Sequence, residues 1–162
     1  MYDERMHYWA AAREKIDCAR DDRRLAIHEA GHSVVALSLG WEVPEATIAR
    51  ATTIAPPYTS PAHWIQVGLA GAVAVFIDNG RKSVRDALVG ASKDLDQVEG
   101  EFVVLVPELE RPRVRSDGWH AALAILDARW ARVGALATAL ISNSRLTAEQ
   151  VRAIVDPPLA VA

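Results

Sequence analysis

Cysteine is nearly missing from this sequence. Cys18 stands alone among 162 residues, which excludes an internal disulfide framework and a four-cysteine zinc site. Redox chemistry therefore does not set the compartment, and a reducing cytoplasm is the simplest one to expect. An excess of either charge is also missing. The 18 Lys and Arg face 21 Asp and Glu, a net charge of −3 with His neutral, and no long basic stripe interrupts the balance. A nucleic-acid binder driven by charge is excluded. Long apolar runs are lacking as well. The longest uncharged one, Ile65 to Ile77, is shorter than the roughly 18–20 residues of a membrane span. Met1-Tyr2-Asp3-Glu4-Arg5 carries mixed charge with no apolar run behind it, so no secretory leader is expected.

What is present suits one soluble domain over residues 1–162. Hydrophobic residues make up 51% of the chain, enough apolar surface to offset chain entropy and exclude disorder. No internal repeat or low-complexity linker divides it. The length is within the usual range of about 100–200 residues per domain.

The periodicity predicts a mainly α-helical fold with a small β element. Tyr2, Met6, Trp9, Ala12 and Ile16 recur at helical spacing, so residues 1–20 read as an amphipathic extension. Asp21 or Asp22 caps a second helix that runs to about Leu39 and stops at Gly40. Val43 to Ile54 lacks helical period, is rich in Thr and Ile, and precedes Pro56-Pro57, which predicts one or two short strands of edge character. Pro61 opens a helix that ends near Asp78 before Asn79-Gly80. A loop holding Arg81, Lys82, Ser83 and Arg85 follows. A further helix is expected from about Lys93 to Val106, then a loop over 107–118, a long helix from Gly118 to Ser142 capped by Asp117, and a short helix from Thr147 to Val155. Thr147 and Gln150 form the capping box of that last helix.

The chemistry concentrates at His28-Glu29-Ala30-Gly31-His32, inside the strongest helical pattern of the chain, Leu25, Ile27, Val34, Val35, Leu37 and Leu39. Four residues advance a helix by about 400°, so the two histidines differ by only about 40° around the axis and can converge on one ion. Glu29 lies about 100° round from His28, beside a metal rather than on it, where a general base takes a proton from water. Gly31 costs roughly 1 kcal/mol against Ala in a helix interior, which points to something packed close to that backbone. A catalytic zinc takes three protein ligands and keeps one position open. The metzincin pattern fails, because Val35 and Ser38 stand where its glycine and third histidine belong. Spacing alone leaves His63, Asp94, Asp96, Glu99 and His120 as third-ligand candidates. Asp94 can equally cap a helix, with Gln97 at the capping-box position.

His28 to Ala36 resembles the zinc helix of the peptidase domain of the FtsH family, ATP-dependent membrane zinc proteases. Ala46-Thr47-Ile48-Ala49-Arg50, Gly68-Leu69-Ala70-Gly71 and Gly90-Ala91-Ser92-Lys93-Asp94-Leu95 are similar, in order, to its short strand, its "LAG" helix and its "GASND" turn. Ala124 through Thr147 resembles its closing helices, so the likeness spans about residues 22–155. It implies a zincin-like peptidase domain in which His28, His32 and Asp94 hold Zn²⁺ and Glu29 is the catalytic base. Asp96 is then the alternative ligand or a partner for an imidazole N–H. The departures carry implications of their own. Gly71-Ala72-Val73-Ala74-Val75-Phe76 is wholly apolar where the family carries an arginine and two glutamates, and the stretch after Ile54 is short. No phosphate-binding loop is present: Lys82-Ser83 has Phe76 and Arg81 in place of the two glycines.

The expected function is a zinc metallopeptidase that cuts short or unfolded polypeptides laid along the edge strand within Val43–Ile54. The alternatives are a metal-binding regulatory or interaction module without turnover, and a subunit assembling with an FtsH-type partner or with copies of itself. Neither nucleic acid nor direct membrane insertion is expected. Cys18 is expected to be buried, the five tryptophans to pack in or around the core, and His63 and the Arg111, Arg113, Arg115 series to be solvated.

Overall fold

The computed structural model describes residues 21–157. The helix expected over residues 1–20, with Cys18 and Trp9, lies outside the described residues. Within them the fold is mainly helical with a small antiparallel sheet.

Helix α1 spans Asp22–Ser38, and the Asp21 carboxylate accepts from the Arg24 N–H at 3.1 Å, satisfying a donor that the helix start leaves open. Helix α2 spans Pro61–Asp78, with Ser60 as its cap and Pro61 in the first turn, where no N–H is needed. The two run antiparallel and very close. A Cβ on Gly31 would sit 2.6 Å from the Ala70 carbonyl oxygen and 2.6 Å from the Ala74 Cβ, so the bare backbone of α1 lies directly on α2. Around this crossing Ala26, Ala30 and Val34 of α1 and Ile65, Leu69, Ala70, Val73 and Ala74 of α2 are fully buried. By length and composition α2 could cross a membrane. Here it is the central core helix.

Strands β1 (Glu42–Thr47) and β2 (Arg50–Ile54) form a hairpin in which Thr47 faces Arg50 and Ala46 faces Ala51. A third strand, β3 (Leu146–Thr147), pairs with the other side of β1, Leu146 facing Ala46. The order β2-β1-β3 places β1 in the middle. The edge character expected across Val43–Ile54 therefore belongs to β2.

The remaining helices are α3 (Val84–Leu88), α4 (Ser92–Gln97), α5 (Arg111–Ala128), α6 (Trp130–Ser142) and α7 (Ala148–Val155). Helix α3 occupies the segment read as a loop, with the Ser83 hydroxyl accepting from the Asp86 N–H at 3.1 Å. The helix expected from Lys93 to Val106 ends at Gln97. A widened π turn over Val98–Phe102 and a 3₁₀ turn over Val103–Leu105 replace its second half. The widened turn brings Glu99 to Arg115, which donates to both its carboxylate oxygens at 2.6 and 2.5 Å, and stacks Phe102 on Trp64 with centroids 4.8 Å apart. Pro112 and Gly118, read as loop residues, both lie in α5. Pro112 falls in the first turn. Gly118 removes a side chain that would stand 2.9 Å from the Ile65 Cγ2, letting α5 pack on α2. The long helix expected from Gly118 to Ser142 breaks at Arg129 (φ −119°, ψ 20°). There the Arg129 guanidinium donates to the Ser38 hydroxyl at 3.0 Å and pairs with Asp156, tying the bend to the ends of α1 and α7. Helix α7 carries the Thr147–Gln150 capping box.

Replacing Gly31 with Ala is expected to lower the unfolding free energy by about 1–3 kcal/mol. Overpacking against backbone outweighs Ala's better helix propensity of about 1 kcal/mol. Urea unfolding measures this, and an unchanged midpoint would show that the helices are not in contact there.

Candidate metal centre

His28 and His32 lie on the face of α1 turned to α2, one turn apart. His28 Nε2 and His32 Nε2 are 3.0 Å from each other. Asp94, in the first turn of α4, brings its Oδ2 to 2.8 Å from His28 Nε2 and 3.4 Å from His32 Nε2. These three donor atoms form a group that could hold a metal ion. Their separations match the size of such a group, because donors about 2.0–2.1 Å from a tetrahedral ion lie about 3.3 Å apart. The other third-ligand candidates, His63, Asp96, Glu99 and His120, are not in the group. Asp94 does not cap its helix: Ala91 is the cap residue, and no side chain bonds there.

Four features of the fold aim these atoms. The first is the Val67 carbonyl of α2, 2.7 Å from His32 Nδ1. A carbonyl only accepts, so the neutral ring carries its proton on Nδ1 and turns the Nε2 lone pair to the cluster. The second is Gly71, where a Cβ would stand 2.5 Å from His28 Nε2 and 2.5 Å from His32 Nε2. Only a residue without a side chain leaves room for both rings. The third is Arg24, one turn before His28, which donates to the carbonyl of Val89 at 2.6 Å and to that of Asp86. It pins the end of α3 to α1. The fourth is Gly90, whose φ of +91° turns the chain from that anchor into α4 and carries Asp94 over His28. Arg24 and the Val67 carbonyl were not singled out from the sequence. The i, i+4 spacing of Arg24 and His28 puts both on one face, but the carbonyl partners of Arg24 come from a segment whose sequence predicts a loop.

Glu29, 9% exposed, faces a different neighbour. Its Oε2 accepts from the Ala51 N–H of β2 at 2.6 Å. It lies outside the donor triad, as its position on the helix implied.

The electrostatics of the cluster favour a shared cation. Burial of the His32 ring disfavours its charged form, but the hydrogen bond and charge of Asp94, the charge of Glu29 and the Val67 carbonyl outweigh that and raise its pKa to about 9. Burial likewise penalises the Asp94 carboxylate. Hydrogen bonds and charge from His28 and His32 overturn the penalty and hold its pKa well below the usual carboxylate range. The His32 ring therefore favours its protonated form at neutral pH, and a metal ion held there would displace that proton.

No family model matches the chain, and no curated protein matches it.

Two outcomes are expected. Gly71→Ala, which crowds both imidazoles, should abolish stoichiometric metal uptake as fully as His28→Ala does, read by elemental analysis. In chelator, the stabilisation from His32 is complete below its ordinary pKa of 6.5 and is lost as pH rises through about 9. That from Asp94 is present above 3.8 and lost in acid. The Tm of metal-free protein should therefore fall between pH 6.5 and about 9, as His32 loses its proton. A rise over that range, measured by calorimetry, would contradict the assignment.

Proposed function

We propose that this chain is a zinc-dependent metallopeptidase that resembles the peptidase domain of FtsH-type proteases. The observation that carries the reading is the convergence of His28 Nε2, His32 Nε2 and Asp94 Oδ2, with the Glu29 carboxylate on the neighbouring helical position. Two imidazoles and one carboxylate are the donor set of a catalytic zinc site with an open position. Zinc held there would supply Lewis-acid chemistry, lowering the pKa of a water toward about 7 and polarising a carbonyl.

The chain's own residues do the rest. His28 and His32 stay neutral as ligands, with His32 oriented by Val67. Glu29 takes a proton from the attacking water at a carboxylate oxygen and passes it to the departing amine, so the water is divided between the two products. The outer edge of β2 offers backbone groups to an extended substrate. A strand-like substrate suits short peptides and unfolded polypeptides.

A second reading is a metal-binding interaction module without turnover. It draws on the apolar segment after Gly71: Ala72, Val73, Ala74 and Val75 are buried in the core, so no charge from that segment reaches the centre. Assembly with an FtsH-type partner would suit this module.

Glu29→Gln separates the two readings. The metallopeptidase should keep its zinc, measured by elemental analysis, and lose about 10²–10⁴-fold in peptide cleavage. Zinc-replete wild-type protein that cleaves no unfolded polypeptide would select the module.

A further inference from the structure

The bond between Glu29 and Ala51 has a consequence for how a substrate is received. In the β1–β2 hairpin Thr47 faces Arg50 across a two-residue connection, and Ala46 faces Ala51. Antiparallel pairs alternate between bonded and non-bonded, so in a pair next to the turn-closing one the N–H groups point outward. The Ala51 N–H does point outward, since it reaches Glu29 Oε2 on α1 at 2.6 Å. The register shifts opposite Thr53, so the outward backbone groups that this pairing assigns are the N–H and C=O of Ala51, and these are the groups a further strand would pair with. One of them is already committed to the carboxylate proposed as the base. A carboxylate oxygen held by a backbone N–H is aimed at that N–H, and an N–H held by a carboxylate is closed to a substrate carbonyl.

We propose that the Ala51 N–H is a substrate-operated latch on Glu29. In the free protein it holds the carboxylate, and an extended peptide pairing with β2 takes the N–H for its own carbonyl and releases Glu29 toward the donor triad. This rests on the metallopeptidase reading. The exchange swaps one acceptor for another at one donor, so no backbone group is left unpaired. It confines the active base to the complex, and it restricts substrates to chains that can extend along β2. A ligand that reaches the metal without pairing as a strand leaves Glu29 latched.

The test follows the Ala51 amide by hydrogen exchange in the metal-loaded full chain. In wild-type protein the amide should be protected, and in Glu29→Ala it should exchange at least tenfold faster. The probe is a Thr- and Val-rich octapeptide, extended by its β-branched residues. Added to Glu29→Ala, which leaves it uncut, the peptide should restore protection at Ala51. Peptide binding seen at other amides without that restoration overturns the latch, as does an unprotected Ala51 amide in free wild-type protein. Cleavage by wild type combined with either result leaves the metallopeptidase standing and removes only the latch. Restored protection with no cleavage by wild type keeps the exchange of acceptors and removes the metallopeptidase. A kinetic variant gives a second readout. Ala51→Pro deletes the N–H at an edge position, where proline is tolerated, and should raise KM about two- to tenfold, the effect of one backbone hydrogen bond, with a smaller change in kcat. A fall in kcat at unchanged KM would make the N–H a fixed support of Glu29 and overturn the latch.

Discussion

The close crossing of α1 and α2 is the constraint on which the rest depends. Two glycines make it, one from each helix. Gly31 brings the α1 backbone onto Ala70 and Ala74, and Gly71 opens the α2 surface where His28 and His32 lie. At ordinary helix separation the Val67 carbonyl could not reach His32 Nδ1, and its orienting bond would be lost. The core and the centre therefore share one interface. The buried alanines and valines that stabilise the helix pair also fix the directions of the two imidazoles.

Asp94 joins this interface from a distant part of the chain, through a series of small anchors. Arg24 grips the carbonyls of Asp86 and Val89, Gly90 turns the backbone, and α4 starts with its carboxylate over His28. Beyond α4 the widened turn over Val98–Phe102 is held by the Arg115 fork and by the stack of Phe102 on Trp64. Both ends of the segment that bears Asp94 are thus tied down. Burial opposes charge on His32 and on Asp94, and the hydrogen bonds and charges between them and their neighbours outweigh that penalty. A cation bound among His28, His32 and Asp94 satisfies all three at once.

Much of this was legible in the sequence wherever local patterns decide structure. The cap at Asp21, the start at Pro61, the capping box at Thr147 and the shared face of His28 and His32 follow from rules that span a few residues. The errors share one cause. Pro112 and Gly118 suggested a loop because proline and glycine usually break helices, yet one falls in a first turn and the other makes room for Ile65. The bend at Arg129 has no proline or glycine of its own to mark it, because its ties run to Ser38 and Asp156. The π turn follows from a contact with Arg115, and β3 exists because β1 has a side to fill.

By itself the sequence determined that the chain is mainly helical, that two imidazoles share one helical face, and that Glu29 stands beside them, since helical geometry links residues a few positions apart. Only the tertiary structure decided that Asp94 meets those imidazoles, that Val67 orients one of them, and that Glu29 is held by β2. Each of these joins residues more than twenty positions apart, and the packing of helix on helix and helix on strand, rather than any local rule, sets such distances.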